Sequence, residues 1–379
     1  MTTLRLIVDQ ILAPVPGGIG RYTEELARAL IRTAPRGSNV AGVVAASPQA
    51  DYDRVEAMLP GMSILYKSAL TRRQLSFAWQ HGFTQLPGSG MLHAPSVFAP
   101  LSAHDRVNNV GDQVVVTIHD VVPWTHPETL TPHGVRWHKA LVQRAFKYAD
   151  AVVVDTHAVA NQLSNILDFG DRVRVISAAV SSHLRVPDDA KERAEALELP
   201  ERYVLSVGTL EPRKGIGALI KAMSDPALGD VPLLIVGPDG WGGLEVDTIA
   251  KEAGLAEGRV RTLGYLPDRD LAVALDRATV FAFPSLAEGF GLPVLEAFSL
   301  GTAVVHSDDA AVSEVSAGAG LSVPREDSAG YPARLAEAIA SVLHDDDLRE
   351  RMGLLGIDRA KVFSWSSSAE KVWQLHADL

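Results

Sequence analysis

The residues best suited to chemistry lie in Pro284-Ser285-Leu286-Ala287-Glu288-Gly289-Phe290-Gly291-Leu292-Pro293-Val294-Leu295-Glu296-Ala297. The stretch leaves a strand-like run, crosses a glycine-bearing loop and enters a helix with Pro293 in its first turn, where a missing N–H costs nothing. Unpaired N–H groups and the helix dipole at such a start make an anion site suited to a diphosphate, with Gly289, Phe290, Gly291 and Leu292 around it. Glu288 falls in the loop and Glu296 about one turn into the helix. That spacing suits opposite ends of a bound nucleotide-sugar, Glu288 at the sugar and Glu296 at the ribose, rather than a close carboxylate pair. The plainer alternative makes Glu288 a turn cap and Glu296 a solvated helix residue.

A second cluster is Ser206-Val207-Gly208-Thr209-Leu210-Glu211-Pro212-Arg213-Lys214-Gly215. Two adjacent cations at a strand's carboxyl end suit diphosphate oxygens, Arg213 through its two-pronged guanidinium and Lys214 as a compact charge. An exposed Arg-Lys pair is common on any surface, so the pair gains meaning only from the Glu288 loop further along the chain. Thr117-Ile118-His119-Asp120 ends a valine-rich strand at the edge where α/β sheets place ligands. His119 is therefore expected to line a reaction centre, whereas His126, His133 and His138 read as structural. No histidine–acid spacing suits a metal.

Elements that could position these groups alternate along the chain, short β-branched runs with longer amphipathic ones, as in parallel α/β domains. Strands are expected at Leu4–Asp9, Val40–Ala45, Ser63–Tyr66, Val114–His119 and Ala151–Asp155. Helices are expected at Arg21–Arg32, Asp51–Leu59, Arg72–His81, Pro132–Tyr148 and His157–Leu167. A second series has strands at Tyr203–Val207, Pro232–Val236, Val260–Leu263, Val280–Phe283 and Ala303–His306. Its helices fall at Gly215–Met223, Leu244–Ala253, Asp270–Asp276 and Pro293–Leu300. Ala178–Glu201 reads as linker plus a short helix. Closing helices are expected at Pro332–Leu343, Asp346–Lys361 and Ser367–Ala377, the last either capping the second domain or crossing back to the first.

Length and composition agree with this division. The 379 residues suit two domains of about 150–200 residues each. There is no cysteine, which excludes disulfides and thiolate chemistry. No apolar run approaches a membrane span, and Met1-Thr2-Thr3-Leu4-Arg5 runs directly into a strand-like stretch, so no signal peptide is expected. The net charge of −11 is uneven: residues 1–185 carry 17 Lys+Arg against 14 Asp+Glu, and the remainder 18 against 32. An acidic chain is a poor nucleic-acid binder. The mildly basic first half leaves room for a phosphate-bearing acceptor or peripheral contact with an anionic membrane surface. Trp79, Phe77 and Arg72-Arg73 are expected to form a buried aromatic helix face rather than a membrane contact.

The two motifs together resemble the retaining glycosyltransferases of family 4, most closely bacterial mannosyltransferase-type members. That resemblance covers nearly the whole chain. It implies the GT-B fold: an acceptor domain over residues 1–180, a nucleotide-sugar domain over 181–364, the two Rossmann-like domains facing across a cleft, and a C-terminal helix, 365–379, returning to the first domain. It also implies catalytic roles for His119, Arg213, Lys214 and Glu288, with Glu296 on the donor. The family's glycine-rich turn corresponds to Gly17-Gly18-Ile19-Gly20. Gly208 is likewise placed at the donor; a further donor-pocket turn corresponds to Val236-Gly237-Pro238-Asp239-Gly240-Trp241, and the backbone site for the base to Leu263-Gly264-Tyr265-Leu266. By the same analogy no metal or other cofactor is needed. The donor would be GDP-mannose, or else a UDP-sugar, and the acceptor a glycan or lipid-linked sugar, in the cytoplasm or at the inner membrane face.

Three departures stand out. Thr209 replaces a frequent arginine after the glycine, leaving that task to Arg213. Ser313-Glu314-Val315-Ser316-Ala317-Gly318 replaces a Pro-Glu-Val and Gly-Asp run. Asp155-Thr156-His157 stands where a strand usually ends in serine. None is expected to touch the two glutamates, His119 or Lys214, so an active enzyme is expected.

A nucleotide-sugar 2-epimerase of the same fold is the main alternative, disfavoured by Glu288 and Glu296. A nicotinamide-dependent dehydrogenase is disfavoured because Thr23 stands where the last glycine of Gly-x-Gly-x-x-Gly belongs. A non-catalytic binding protein would not need the reactive residues that are present.

Overall fold

The structure is a computed structural model that describes residues 2–13, 17–83, 86, 90–109, 111–240 and 242–379. The chain divides into two units. One comprises Met1–Trp124, Pro132–Ala178 and Ser364–Leu379, the other Thr125–Thr131 and Ala179–Phe363.

Each unit is built on a parallel sheet. The first holds β1 (Thr2–Ile7), β2 (Ser38–Ala46), β3 (Leu65–Thr71), β4 (Met91–Ala94), β5 (Gln113–Thr117), β6 (Ala151–Val154) and β7 (Val173–Val175). Their order in space is β3-β2-β1-β4-β5-β6-β7. In the second, β8 (Val204–Val207), β9 (Leu233–Val236), β10 (Val260–Gly264), β11 (Val280–Phe283), β12 (Val304–Ser307) and β13 (Leu321–Val323) are ordered β10-β9-β8-β11-β12-β13. The order reverses between β1 and β4 in one sheet and between β8 and β11 in the other. Such reversal points open a crevice at the carboxyl ends of the strands, the place where α/β sheets bind ligands. Helices on both faces explain why β6, β9 and β11 are buried along their whole length.

The C-terminal helix, Trp365–Asp378, belongs to the first unit and packs on the helix Gly17–Arg32. Trp373 donates its indole N–H to the Leu30 carbonyl at 3.3 Å, and the Ser368 hydroxyl donates to the Ser177 carbonyl at 2.6 Å. Gln113 and the buried His376 close the contact through a 2.8 Å hydrogen bond. The linker carries one short helix, Ala190–Ala196. No helix among the described residues is long and apolar enough to cross a membrane.

The aromatic face expected to be buried is only partly so. Trp79 is fully inside, against Phe98 at 4.4 Å, but Phe77 is 62% exposed. Helix Arg72–His81 has room to bury only one stripe toward the sheet, and Leu75, Ala78 and Trp79 fill it.

Candidate active site

Glu288 and the Arg213–Lys214 pair, far apart in sequence, meet at the reversal point of the second sheet. Arg213 and Lys214 form a tight turn, Pro212–Lys214, beyond β8; Glu288 follows β11, the neighbouring strand. Lys214 Nζ donates to Glu288 Oε1 at 2.6 Å, and Arg213 Nη1 lies 3.3 Å from Oε2. The buried Ser285 adds its hydroxyl to Oε1 at 2.5 Å. Burial alone would push the Glu288 carboxyl up, but the charges of Lys214 and Arg213, with the Lys214 and Ser285 hydrogen bonds, hold it below the usual carboxylate range. Glu288 is therefore an ionised group whose oxygens are held by three side chains.

Backbone hydrogen bonds lock the two loops together. Leu286 N–H donates to the Arg213 carbonyl at 2.8 Å, and Arg213 Nη1 donates to the Ala287 carbonyl at 2.7 Å. Gly215 makes the approach feasible: its φ is +68°, and a Cβ there would stand 2.2 Å from the Pro284 carbonyl oxygen. Gly215→Ala is accordingly expected to lower Tm, since the left-handed backbone alone costs about 1–2 kcal/mol. It should also weaken nucleotide binding by moving the Arg213–Lys214 turn off the Glu288 loop. Unchanged melting and unchanged nucleotide affinity, by scanning and titration calorimetry, would show that the loops do not depend on this approach.

Sequence reasoning missed the brace behind Glu288. Asp309 caps the helix Ala310–Ser316 by accepting from the N–H groups of Ala311 and Val312, and it also accepts from Glu288 N at 3.4 Å. Burial pushes the Asp309 carboxyl up, against those hydrogen bonds and the nearby Arg325. Arg325 donates to the Leu286 carbonyl, pairs with Asp308 at 2.6 Å and lies 3.6 Å from Asp309. The signal available was Asp308-Asp309 directly before a helical run, an N-cap signature.

Glu296 lies on the helix Leu292–Ser299 and is buried at 3% exposure, which overturns the alternative of a solvated helix residue. Phe290 is buried against Phe363, with ring centroids 5.6 Å apart, while Gly289 and Leu292 are half-buried. Gly291 caps the helix with a left-handed backbone. Gly237 presses on the chain just past β8: a Cβ at Gly237 would stand 2.0 Å from the Gly208 carbonyl oxygen. Gly237 N–H in turn donates to the Gly264 carbonyl at 2.8 Å, and Leu266 follows, buried. Trp241 of that turn lies outside the described residues. Among the described residues no cluster of acids and histidines is placed to hold a metal.

In the first unit Gly17, Gly18 and Gly20 form the first turn of the helix Gly17–Arg32. His119 lies two residues past β5. One departure from the family pattern does touch it, contrary to expectation: Asp155 Oδ2 is 2.7 Å from His119 Nδ1. The cause is register. Thr117 pairs with Val153 in the adjacent strand, so the residues two further on, 119 and 155, face each other.

The comparisons with known proteins fit this geometry. The family model for glycosyltransferase family 4 matches residues 16–183, and the model for glycosyl transferases group 1 matches 188–357. The O-antigen chain mannosyltransferase B of Escherichia coli is 32% identical over 265 residues, 68% of each chain. The chain belongs to the family 4 glycosyltransferases. The serotype-specific mannosyltransferase WbdA of Escherichia coli is 30% identical to this glycosyltransferase over 69% of its chain, which is only 33% of WbdA. Sucrose-phosphate synthase from Thermosynechococcus elongatus has the same GT-B fold, with a TM-score of 0.76 over 100% of this chain and 99% of that one, at 22% identity. The glycosyltransferase is thus an enzyme of two Rossmann-like units, and the 2-epimerase reading finds no support among these relatives.

Proposed function

We propose that the enzyme is a retaining hexosyltransferase that moves mannose from GDP-mannose to a glycan or lipid-linked sugar without a metal. The observation that carries this reading is the Arg213–Lys214–Glu288 cluster at the reversal point of the second sheet. The relatives named as mannosyltransferases support the sugar. Arg213, Lys214 and the helix start at Gly291–Pro293 hold the donor's diphosphate, Glu296 the ribose and Glu288 the sugar. The glycine turns at Gly208, Gly237 and Gly289, and the backbone at Leu266, shape the donor pocket. The enzyme would work in the cytoplasm, at the inner membrane face where its acceptor is lipid-linked.

Glu288 is a poor nucleophile, because Lys214, Arg213 and Ser285 already hold its oxygens. That favours front-face displacement over a sugar bound covalently to the enzyme. The bond from the sugar C1 to the diphosphate oxygen breaks while the acceptor oxygen bonds to C1 on the same face. The acceptor's proton passes to the departing diphosphate, whose negative charge the two cations and the helix start stabilise. His119 assists transfer rather than nucleotide binding.

Incubating the protein with GDP-mannose and an oligomannose acceptor and recording the product's anomeric signals by NMR tests the reading. The expected product is α-linked, with turnover surviving EDTA. A β-linked product, loss of activity in EDTA restored by a divalent ion, or a larger Tm rise with a UDP-sugar than with GDP-mannose would each overturn the corresponding part.

A further inference from the structure

We propose that Asp155 is a positioning residue that keeps His119 doubly protonated, so that His119 serves transfer as a fixed cation and N–H donor, never as a proton acceptor. The proposal deepens the reading of His119 as a transfer residue and rests on it.

Both ring nitrogens of His119 face groups that can only accept. Nδ1 lies 2.7 Å from Asp155 Oδ2, and Nε2 lies 2.8 Å from the Pro95 carbonyl oxygen. A neutral imidazole has one N–H, so satisfying both partners requires the imidazolium. The three groups come from three adjacent strands: Pro95 follows β4, His119 follows β5 and Asp155 follows β6. The sheet itself therefore fixes the triad.

Asp155 has no competing task. The turn after β6 needs a hydroxyl to cap the helix His157–Ser164, and Thr156 supplies it, accepting from Val159 N–H at 3.2 Å. The Asp155 side chain is 3% exposed, and its second oxygen, Oδ1, has no hydrogen-bond partner among the described residues. All of the side chain's hydrogen bonding among the described residues is thus directed at His119.

The other groups around the ring agree. Asp120 adjoins His119 in the chain. Tyr22, from the helix Gly17–Arg32, packs its ring across the imidazole at 4.7 Å and 81°, and is backed by Trp365 from the C-terminal helix. Burial, and then the charge on Asp155, raise the Tyr22 hydroxyl and keep it neutral. Burial by itself would push the His119 imidazole down. The Asp155 charge and hydrogen bond, the Pro95 carbonyl and Asp120 outweigh it and raise the imidazole above its ordinary value.

An Nε2–H that donates to a backbone carbonyl can exchange that partner for a hydroxyl of the sugar or acceptor without any proton leaving the ring. A neutral His119 would lose either that donor or the tie to Asp155.

The test uses full-length protein labelled with 15N-histidine, with His119→Gln to identify the His119 signals. In the wild type both His119 nitrogens should show imidazolium shifts at neutral pH, and kcat should fall only as the pH rises past the raised His119 pKa. Asp155→Asn removes the charge but keeps the shape, so burial should prevail. Its His119 midpoint and the alkaline limb of kcat should then both move down by about one pH unit or more. At neutral pH its kcat should drop about tenfold and recover as the pH is lowered. Asp155→Glu keeps the charge and should hold the wild-type limb even where its rate falls, which a merely structural role for Asp155 would not require. A neutral His119 in the wild type at neutral pH, or an unmoved midpoint and limb in Asp155→Asn, would overturn the proposal. Full transfer by His119→Gln would instead remove the role of His119 on which it rests, whatever the spectra show.

Discussion

Glu288→Gln is expected to lower kcat by about 100- to 1000-fold, the loss seen when one preorganised electrostatic contact at a transition state is removed, while nucleoside diphosphate affinity does not fall. The carboxylate is held by Lys214 at 2.6 Å and Arg213 at 3.3 Å, so it competes with any diphosphate for the same two cations. Glutamine keeps the size and one acceptor oxygen for Ser285 and Lys214 but gives up the charge. Both cations are then freer to meet a diphosphate, and affinity for GDP should hold or tighten severalfold. Steady-state kinetics with calorimetric titration of GDP separate the two effects. A variant that loses GDP affinity as steeply as turnover would place Glu288 on the nucleotide and undo its assignment to the sugar.

How much of this could be read from the sequence differs between elements and site. Helix Arg72–His81 is read to the residue because its ends carry chemical signals: Thr71 and Gln74 form a capping box, and Gly82 stops the helix with φ +73°. Strands β4, β7 and β13 escape a pattern search. Met91–Ala94 has no β-branched residue, and the other two span three residues each. The helix Ala310–Ser316 is missed because Ala310, Ala311 and Ser313 give its short run little apolar periodicity.

In the site, residue types were legible and contacts were not. Nothing near Arg213 announces that β11 will lie beside β8; that is a property of strand order. The same holds for Asp155, visible as a departure from the family pattern but expected to touch nothing important. Only the pairing of Thr117 with Val153 reveals that it faces His119. Buried polar groups acquire partners through the sheet, across intervals over which sequence spacing carries no information.

Lys214→Ala should be the variant that damages binding and stability together. Loss of one charge-assisted contact to the diphosphate should cost about 1.5–3 kcal/mol, about 10- to 150-fold in GDP affinity. The same deletion takes from the Glu288 carboxylate its nearest cation, leaving Arg213 and the Ser285 hydrogen bond to oppose burial. The sign of the stability effect follows from the direction of the Glu288 shift. A carboxyl held below its ordinary value contributes stability that is present above the unfolded-state pKa and is lost as pH falls through the lower folded value. In Lys214→Ala that depression shrinks or reverses, so the variant should melt below wild type at neutral pH. The gap should close only as the pH falls through the lowered wild-type value of Glu288, below which the group is protonated in both proteins and the missing cation no longer matters. Lys214→Arg restores the charge and should recover most of the melting temperature, though not the rate, because a planar guanidinium cannot occupy the compact position of the ammonium beside Phe283. A gap in Tm between wild type and Lys214→Ala that stays constant from neutral to acid pH would show that the lysine stabilises the fold through its packed stem and not through Glu288.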